Sequence, residues 1–192
     1  MEPSKSELRR EAATARSALA RVAGDIGDRL ITSFASVVLL KPSRTVAGYH
    51  RFRDEADPLP ILRFLFASGW TCALPVPVDG PEGLVFRTWE PGGELVTGRY
   101  SIPHPPETSP EVRPDVVLVP LLAYDGSGRR LGYGAGYYDR ALANLRRTGH
   151  ALAVGVAYAG QRVDLVPALD HDEPLDMVVT EQDALDFRKG AS

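Results

Sequence analysis

Apolar residues recur at two periods along this chain, and each change of period marks a new element. Leu8, Ala12, Ala15 and Leu19 share one helical face, and Ser4 with Glu7 three residues later forms a capping-box pattern just ahead of it. An amphipathic helix is predicted there. The same period runs through Ile26, Leu30, Phe34 and Val37 and stops before Pro42. A third helical pattern starts at Pro58, passes through Ile61, Phe64 and Leu65, and stops at Gly69. Residues 45–49, 71–76 and 84–89 are short apolar runs punctuated by Gly and Pro, which predicts strands.

Gly and Pro are so dense between residues 91 and 114 that neither a long helix nor a central strand fits; a long ordered loop or a site wall is predicted. Residues 116–122 follow as a nearly unbroken run of Val and Leu, the pattern of a parallel strand covered on both faces. Asp125, Gly126, Ser127 and Gly128 form a turn cluster, Gly132, Gly134 and Gly136 alternate along the next segment, and a helix is predicted from Tyr137 to near Thr148. Further strands are predicted over 151–158 and 177–180, ahead of a polar tail. No internal repeat is present. Strands alternating with helices predict one α/β domain over residues 1–192, with a largely parallel sheet and ligands beyond the carboxyl ends of its strands.

The glycine segment carries the candidate chemistry. Alternate glycines let a ligand approach the backbone and permit turns in which successive N–H groups face one concavity, a nest for anions. The helix that follows adds its unpaired N–H groups and the positive end of its dipole, and Arg129, Arg130 and Arg140 add full charges. Asp139, in the first turn of that helix, would repel a bound phosphate unless a hard cation such as Mg²⁺ bridged the two. It reads equally as an acid that stabilises a helix N-terminus. The pattern is neither a Walker A loop nor a dinucleotide fingerprint. Near the start, Lys5 and Arg9 stand four apart on one helical face, as solvated cations or as a pair converging on phosphates.

Composition narrows the function class. With 44% hydrophobic and 24% charged residues the chain is ordinary for a globular protein, and a net charge of -3 argues against nucleic-acid binding by counterion release. Cys72 is the only cysteine, which excludes an intramolecular disulfide and a cysteine zinc cluster. The charged N-terminus lacks the apolar core of a secretory signal, and no window reaches the ~18 apolar residues of a membrane span, so a cytoplasmic protein without membrane partners is expected. His50, His104 and His150 share no metal-ligand spacing, and the Asp170-His171-Asp172-Glu173 run has a single histidine, a weak basis for a transition-metal site. No G-x-S-x-G elbow is present.

RLGYGAGYYDR, residues 130–140, resembles the signature of the 5-formyltetrahydrofolate cyclo-ligase family. The resemblance extends to Lys5-x-x-Leu8-Arg9, to Asp54-Glu55-Ala56-Asp57, to Ile102-Pro103-x-Pro105, and to Gln161 followed by Asp170-His171-Asp172. It implies a three-layer fold similar to sugar-phosphate isomerases and CoA transferases. It also implies ATP-dependent closure of 5-formyltetrahydrofolate to 5,10-methenyltetrahydrofolate, with ATP as co-substrate and Mg²⁺ as metal. Carried over residue by residue, it assigns ATP to Lys5, Arg9, Arg130, Leu131, Gly132, Tyr133, Gly134, Ala135, Gly136, Tyr137 and Tyr138. The folate falls to Arg9, Phe52, Glu55, Asp57, Tyr100, Tyr133, Gly134, Ala135, Gly136 and Tyr137. Asp139 and Asp172 would hold the metal, and Arg130 and Tyr133 would be catalytic. A monomer is expected. Two positions depart from the family pattern: His104 stands where Glu or Gln is common, and Ala135 where Gly or Lys is frequent. Alternatives are an ATP-using paralogue for another formylated or amide substrate, and a binding module without turnover.

Overall fold

The computed structural model describes residues 4–38, 44–98 and 101–190. Four helices, α1 (Lys5–Ala23), α2 (Gly27–Val37), α3 (Leu59–Ala67) and α4 (Tyr137–Thr148), fall where the apolar periods predict them. Eleven strands are described among these residues. β1 (Thr45–Ala47), β2 (Thr71–Pro77), β3 (Leu84–Thr88), β6 (Val116–Val119), β9 (Leu152–Val156), β10 (Met177–Val179) and β11 (Ala184–Asp186) form one sheet in the order β11-β10-β9-β6-β1-β2-β3. The five inner strands run parallel, and each edge strand, β3 and β11, is antiparallel to its neighbour.

Strand residues alternate between two cores, as period-two geometry requires. Val46, Leu74, Val116, Leu118, Val154 and Met177 pack against α2 and α3 through Leu30, Phe34, Ile61 and Leu65. Ala47, Ala73, Val117, Val119, Ala153 and Val178 pack against α4 through Ala141, Leu142 and Leu145. The result is three layers. Helix α1 reaches the first core only through its last turns, where Leu19, Ala20 and Ala23 pack, while Leu8 and Ala12 rest on a small cluster of Ala123, Leu131 and Val166.

One expectation is corrected. The run predicted as one strand over 116–122 ends at Val119, because Pro120 has no N–H to donate to the ladder. The chain then forms a hairpin of β7 (Ala123–Tyr124) and β8 (Arg130–Leu131) around the predicted turn. Asp125 fixes that turn: its carboxylate accepts from Ser127 N, Ser127 Oγ and Arg129 N, and also from Val166 N, which fastens a distant segment. The Pro-rich stretch holds neither a long helix nor a central strand among its described residues, as expected. It holds the short hairpin β4 (Val96–Thr97) and β5 (Pro103–His104).

The order of connections positions the site. From β1 the chain first builds outward to β2 and β3, and later returns to place β6 on the other side of β1 before building toward β11. β1 and β6 therefore flank a topological switch point, where loops leaving adjacent parallel strands diverge and open a crevice.

Candidate functional site

A cavity of about 650 Å³ opens beyond the carboxyl ends of β1 and β6, within the ~300–1,000 Å³ typical of ligand sites. Lys5 and Arg9 of α1, Phe52 and Glu55 after β1, Arg130 through Asp139, and Asp172 all line it. Segments separated by more than 160 residues thus meet there, as the Lys5–Asp172 contact shows directly. Asp57 is not among the lining residues; its carboxylate accepts from Leu59 N at 3.0 Å and caps the start of α3. Tyr100 lies outside the described residues.

On one wall, cations and acids are paired around the glycine segment. The capping box at Ser4 and Glu7 starts α1 so that Lys5 and Arg9, one turn apart, both face the cavity. Lys5 Nζ sits 2.9 Å from Asp172 Oδ2, and Arg9 Nε donates to the Gly132 carbonyl at 3.0 Å. Gly134 has φ +99°, a backbone conformation that calls for glycine, and a Cβ there would stand 3.0 Å from Arg9 Cζ and press on that side chain. Gly136, φ +68°, is the left-handed N-cap of α4 and offers its helix no side-chain cap. Asp139, two residues beyond the start of α4, accepts from Arg130 Nη2 at 2.5 Å and from Glu173 N at 3.1 Å. Arg130 also donates to the Glu173 carbonyl. Burial pulls the Arg130 pKa down, with Asp139 and Asp172 opposing that shift. Asp172 is partly desolvated, but hydrogen bonds from Lys5 and Leu169 N hold its carboxyl below the ordinary 3.8.

The opposite wall is less charged and more aromatic. Tyr49 is buried and donates to the Ala56 carbonyl at 2.8 Å, which closes the turn after β1. That turn buries Glu55 to 4% exposure, with Phe52 N donating to its Oε2 at 2.7 Å. Burial raises the Glu55 pKa, an effect only partly offset by Phe52 N and by Arg16. Tyr133 reaches across from the glycine segment, 44% exposed, its ring edge-on to Phe52 at 6.2 Å. Burial and the nearby Glu55 push the Tyr133 hydroxyl up to about 12, so it carries its proton at neutral pH.

Two features escape a reading of the sequence. His50, His104 and His171 have no common spacing yet line one cavity. Ala15, expected on the buried face of α1, is exposed, and Arg16 takes the inward position instead at 2% exposure. Leu8, Ala12, Arg16 and Leu19 recur at three and four residues. The available signal was thus an arginine standing in an apolar stripe.

Asp139 and Asp172 are hard oxygen donors on one wall, and among the described residues no group of three or more His, Cys, Asp or Glu could hold a metal. Two carboxylates with no further protein ligand suit Mg²⁺, which commonly takes one or two carboxylates and completes its shell with phosphate oxygens and water.

Residues 1–181 match the sequence profile of the 5-formyltetrahydrofolate cyclo-ligase family. The chain is 34% identical over 161 residues to the 5-formyltetrahydrofolate cyclo-ligase of Escherichia coli, covering 81% of this chain and 88% of that one. It is 35% identical over 147 residues to the protein of the same name from Mycolicibacterium smegmatis, covering 71% and 73%. The NMR structure of Aquifex aeolicus 5,10-methenyltetrahydrofolate synthetase matches the fold with a TM-score of 0.79 at 28% identity, covering 98% of this chain and 95% of that one.

Proposed function

The chain belongs to the 5-formyltetrahydrofolate cyclo-ligase family, and from that membership we propose that it closes 5-formyltetrahydrofolate to 5,10-methenyltetrahydrofolate, using ATP and Mg²⁺ and releasing ADP and phosphate. The observation that supports the reading is a single cavity lined both by Lys5, Arg9 and the glycine segment and by Phe52, Glu55 and the Tyr133 ring. ATP belongs on the first. Lys5, Arg9 and the backbone of residues 130–138 neutralise the phosphates, and the amino end of α4 adds its dipole. Asp139 and Asp172 would hold Mg²⁺, which supplies charge neutralisation at the phosphates when bound.

The folate belongs on the second wall. Glu55 turns its carboxyl group toward the N–H edge of the pterin, a pure acceptor in its carboxylate form, while Phe52 and Tyr133 contribute apolar ring surface. The formyl oxygen, a poor leaving group, attacks the γ-phosphorus and expels ADP. N10 then adds to the activated carbon, and phosphate departs with the former formyl oxygen as the methenyl bridge closes. The protein's own residues bind, orient and exclude water; no covalent enzyme intermediate is required. Tyr133, protonated at neutral pH, supplies a hydroxyl donor at the junction of the two walls. Arg130, held by Asp139 and the Glu173 carbonyl, acts by orienting Asp139.

The decisive assay incubates purified protein with 5-formyltetrahydrofolate, ATP and Mg²⁺ and follows methenyl absorbance together with ADP. Stoichiometric appearance of both supports the proposal. ADP formation that requires a different formylated compound would assign the site to another substrate, and binding without ADP would make it a module without turnover.

A further inference from the structure

We propose that Arg16 is a positioning residue for this reaction, a buried guanidinium that clamps Tyr133, carried at the junction of the two walls by the glycine segment, to the Asp54–Glu55 turn of the folate wall. The inference rests on the functional reading above and adds to it a residue that does not line the cavity. Arg16 Nη2 lies 2.6 Å from Asp54 Oδ1 and 2.6 Å from Tyr133 Oη, and the cation also stands 5.4 Å from the Tyr133 ring centroid. Nη1 donates to the Leu121 carbonyl at 3.3 Å and stands 3.9 Å from Glu55 Oε1. Ser17, the next residue of α1, hydrogen-bonds to the other oxygen of Asp54. One helix thereby holds both walls: Lys5 and Arg9 face the phosphates at its start, and Arg16 and Ser17 fix the folate wall two turns later.

The chemistry of this arrangement favours positioning over stabilisation. Position 16 falls in an apolar stripe, where a leucine would satisfy packing and a buried ion pair is weak evidence for stability. Nε of Arg16 is buried without a hydrogen-bond partner among the described residues, a cost that packing alone would not retain. What the planar fork provides is angular: two groups from different loops are held at fixed directions from one rigid plane, which a flexible ammonium does not reproduce. Tyr133 is 44% exposed, and its hydroxyl is held between Arg16 Nη2 and the Glu55 carboxylate, so the ring's orientation over the cavity is tied to the clamp on both sides.

The test compares Arg16→Gln, Arg16→Lys, Tyr133→Phe and the double variant Arg16→Gln/Tyr133→Phe, with Arg10→Gln on the exposed side of α1 as control. Arg16→Gln should lose about 100-fold in kcat/KM for the formylfolate, with the ATP dissociation constant within about twofold of wild type. Arg16→Lys keeps the charge but not the fork, so it should keep the melting temperature and recover little of the lost turnover. The double variant should be no worse than the more impaired single variant. In protein labelled with 3-fluorotyrosine, the ¹⁹F line absent from Tyr133→Phe should move and broaden in Arg16→Gln.

Full rescue by lysine, multiplicative losses in the double variant, or an unmoved Tyr133 line would each overturn the proposal. If Arg16→Gln does not fold, Arg16→Lys and Tyr133→Phe decide by the same criteria. If wild type turns nothing over, the functional reading falls, while the ¹⁹F comparison still decides whether Arg16 fixes Tyr133.

Discussion

At the scale of single residues, the site separates charge that helps folding from charge that opposes it. Glu55 is the opposing case. Its folded pKa lies above the ordinary 4.5 because burial disfavours the carboxylate. Between the unfolded and folded values the native state binds more protons, so this group's contribution falls as pH rises through that interval. At neutral pH Glu55 is therefore a net cost to folding. Glu55→Gln is expected to raise the melting temperature at pH 7, with less gain near pH 4, while the KM for formylfolate rises about tenfold or more through the lost acceptor. A lowered melting temperature with unchanged folate KM would remove Glu55 from the site. Asp139 behaves differently. Asparagine there keeps an oxygen toward Arg130 Nη2 and Glu173 N. Asp139→Asn should thus mainly raise the Mg²⁺ concentration needed for half-maximal activity, by about tenfold. Lys5 and Arg9 were legible as a pair on one helical face, and their meeting with Asp139 and Asp172 at one cavity only through the family resemblance. The surroundings of Asp57 were not: its carboxylate binds an N–H two residues away, a local competition that composition does not reveal. Arg16 was hidden for the opposite reason, since its partners lie about 38 and 117 residues away and only the fold unites them.

At the scale of elements, the glycine segment is where sequence and conformation agree most closely. Gly134 and Gly136 adopt positive φ, and both stand against arginine side chains, Arg9 and Arg140. Gly134→Ala would place a Cβ 3.0 Å from Arg9 Cζ in a backbone region costing an L-residue about 1–2 kcal/mol. The expected result is a melting temperature lower by about 2–6 °C and an ATP KM raised by more than the folate KM, because Arg9 is displaced from the phosphate wall. Equal effects on both substrates would show the loop to be a scaffold rather than a nucleotide cradle. Helices and inner strands were readable from period alone. The edge strands' antiparallel direction and the β7–β8 hairpin were not, because direction depends on what each strand pairs with and the hairpin on a carboxylate, Asp125, that collects N–H groups from two segments.

At the scale of the molecule, the cavity is bordered by two segments outside the sheet, the start of α1 and the connection between β9 and β10. The first half of α1 rests on a small apolar cluster and on the Lys5, Arg9 and Arg16 contacts, while Leu19, Ala20 and Ala23 farther along pack on the core beneath α2 and α3. The segment carrying Leu169 and Asp172 is fastened to α1 through Lys5. Few buried apolar contacts imply a low free energy of local opening, so these regions should exchange amide hydrogens sooner than the inner strands. A ligand that binds only the closed arrangement stabilises it by mass action, about 2.7 kcal/mol at 100 times its dissociation constant. Saturating Mg²⁺ and ATP should therefore slow hydrogen exchange over residues 5–16, 130–140 and 166–173. Slowly exchanging strands β1, β6 and β9 should change little in relative terms, since their exchange already requires global opening. Formylfolate alone should protect residues 50–57 instead. If Mg²⁺ and ATP protected only the 50–57 turn and left α1 untouched, the assignment of the two walls would be reversed, and α1 would have no part in holding the nucleotide.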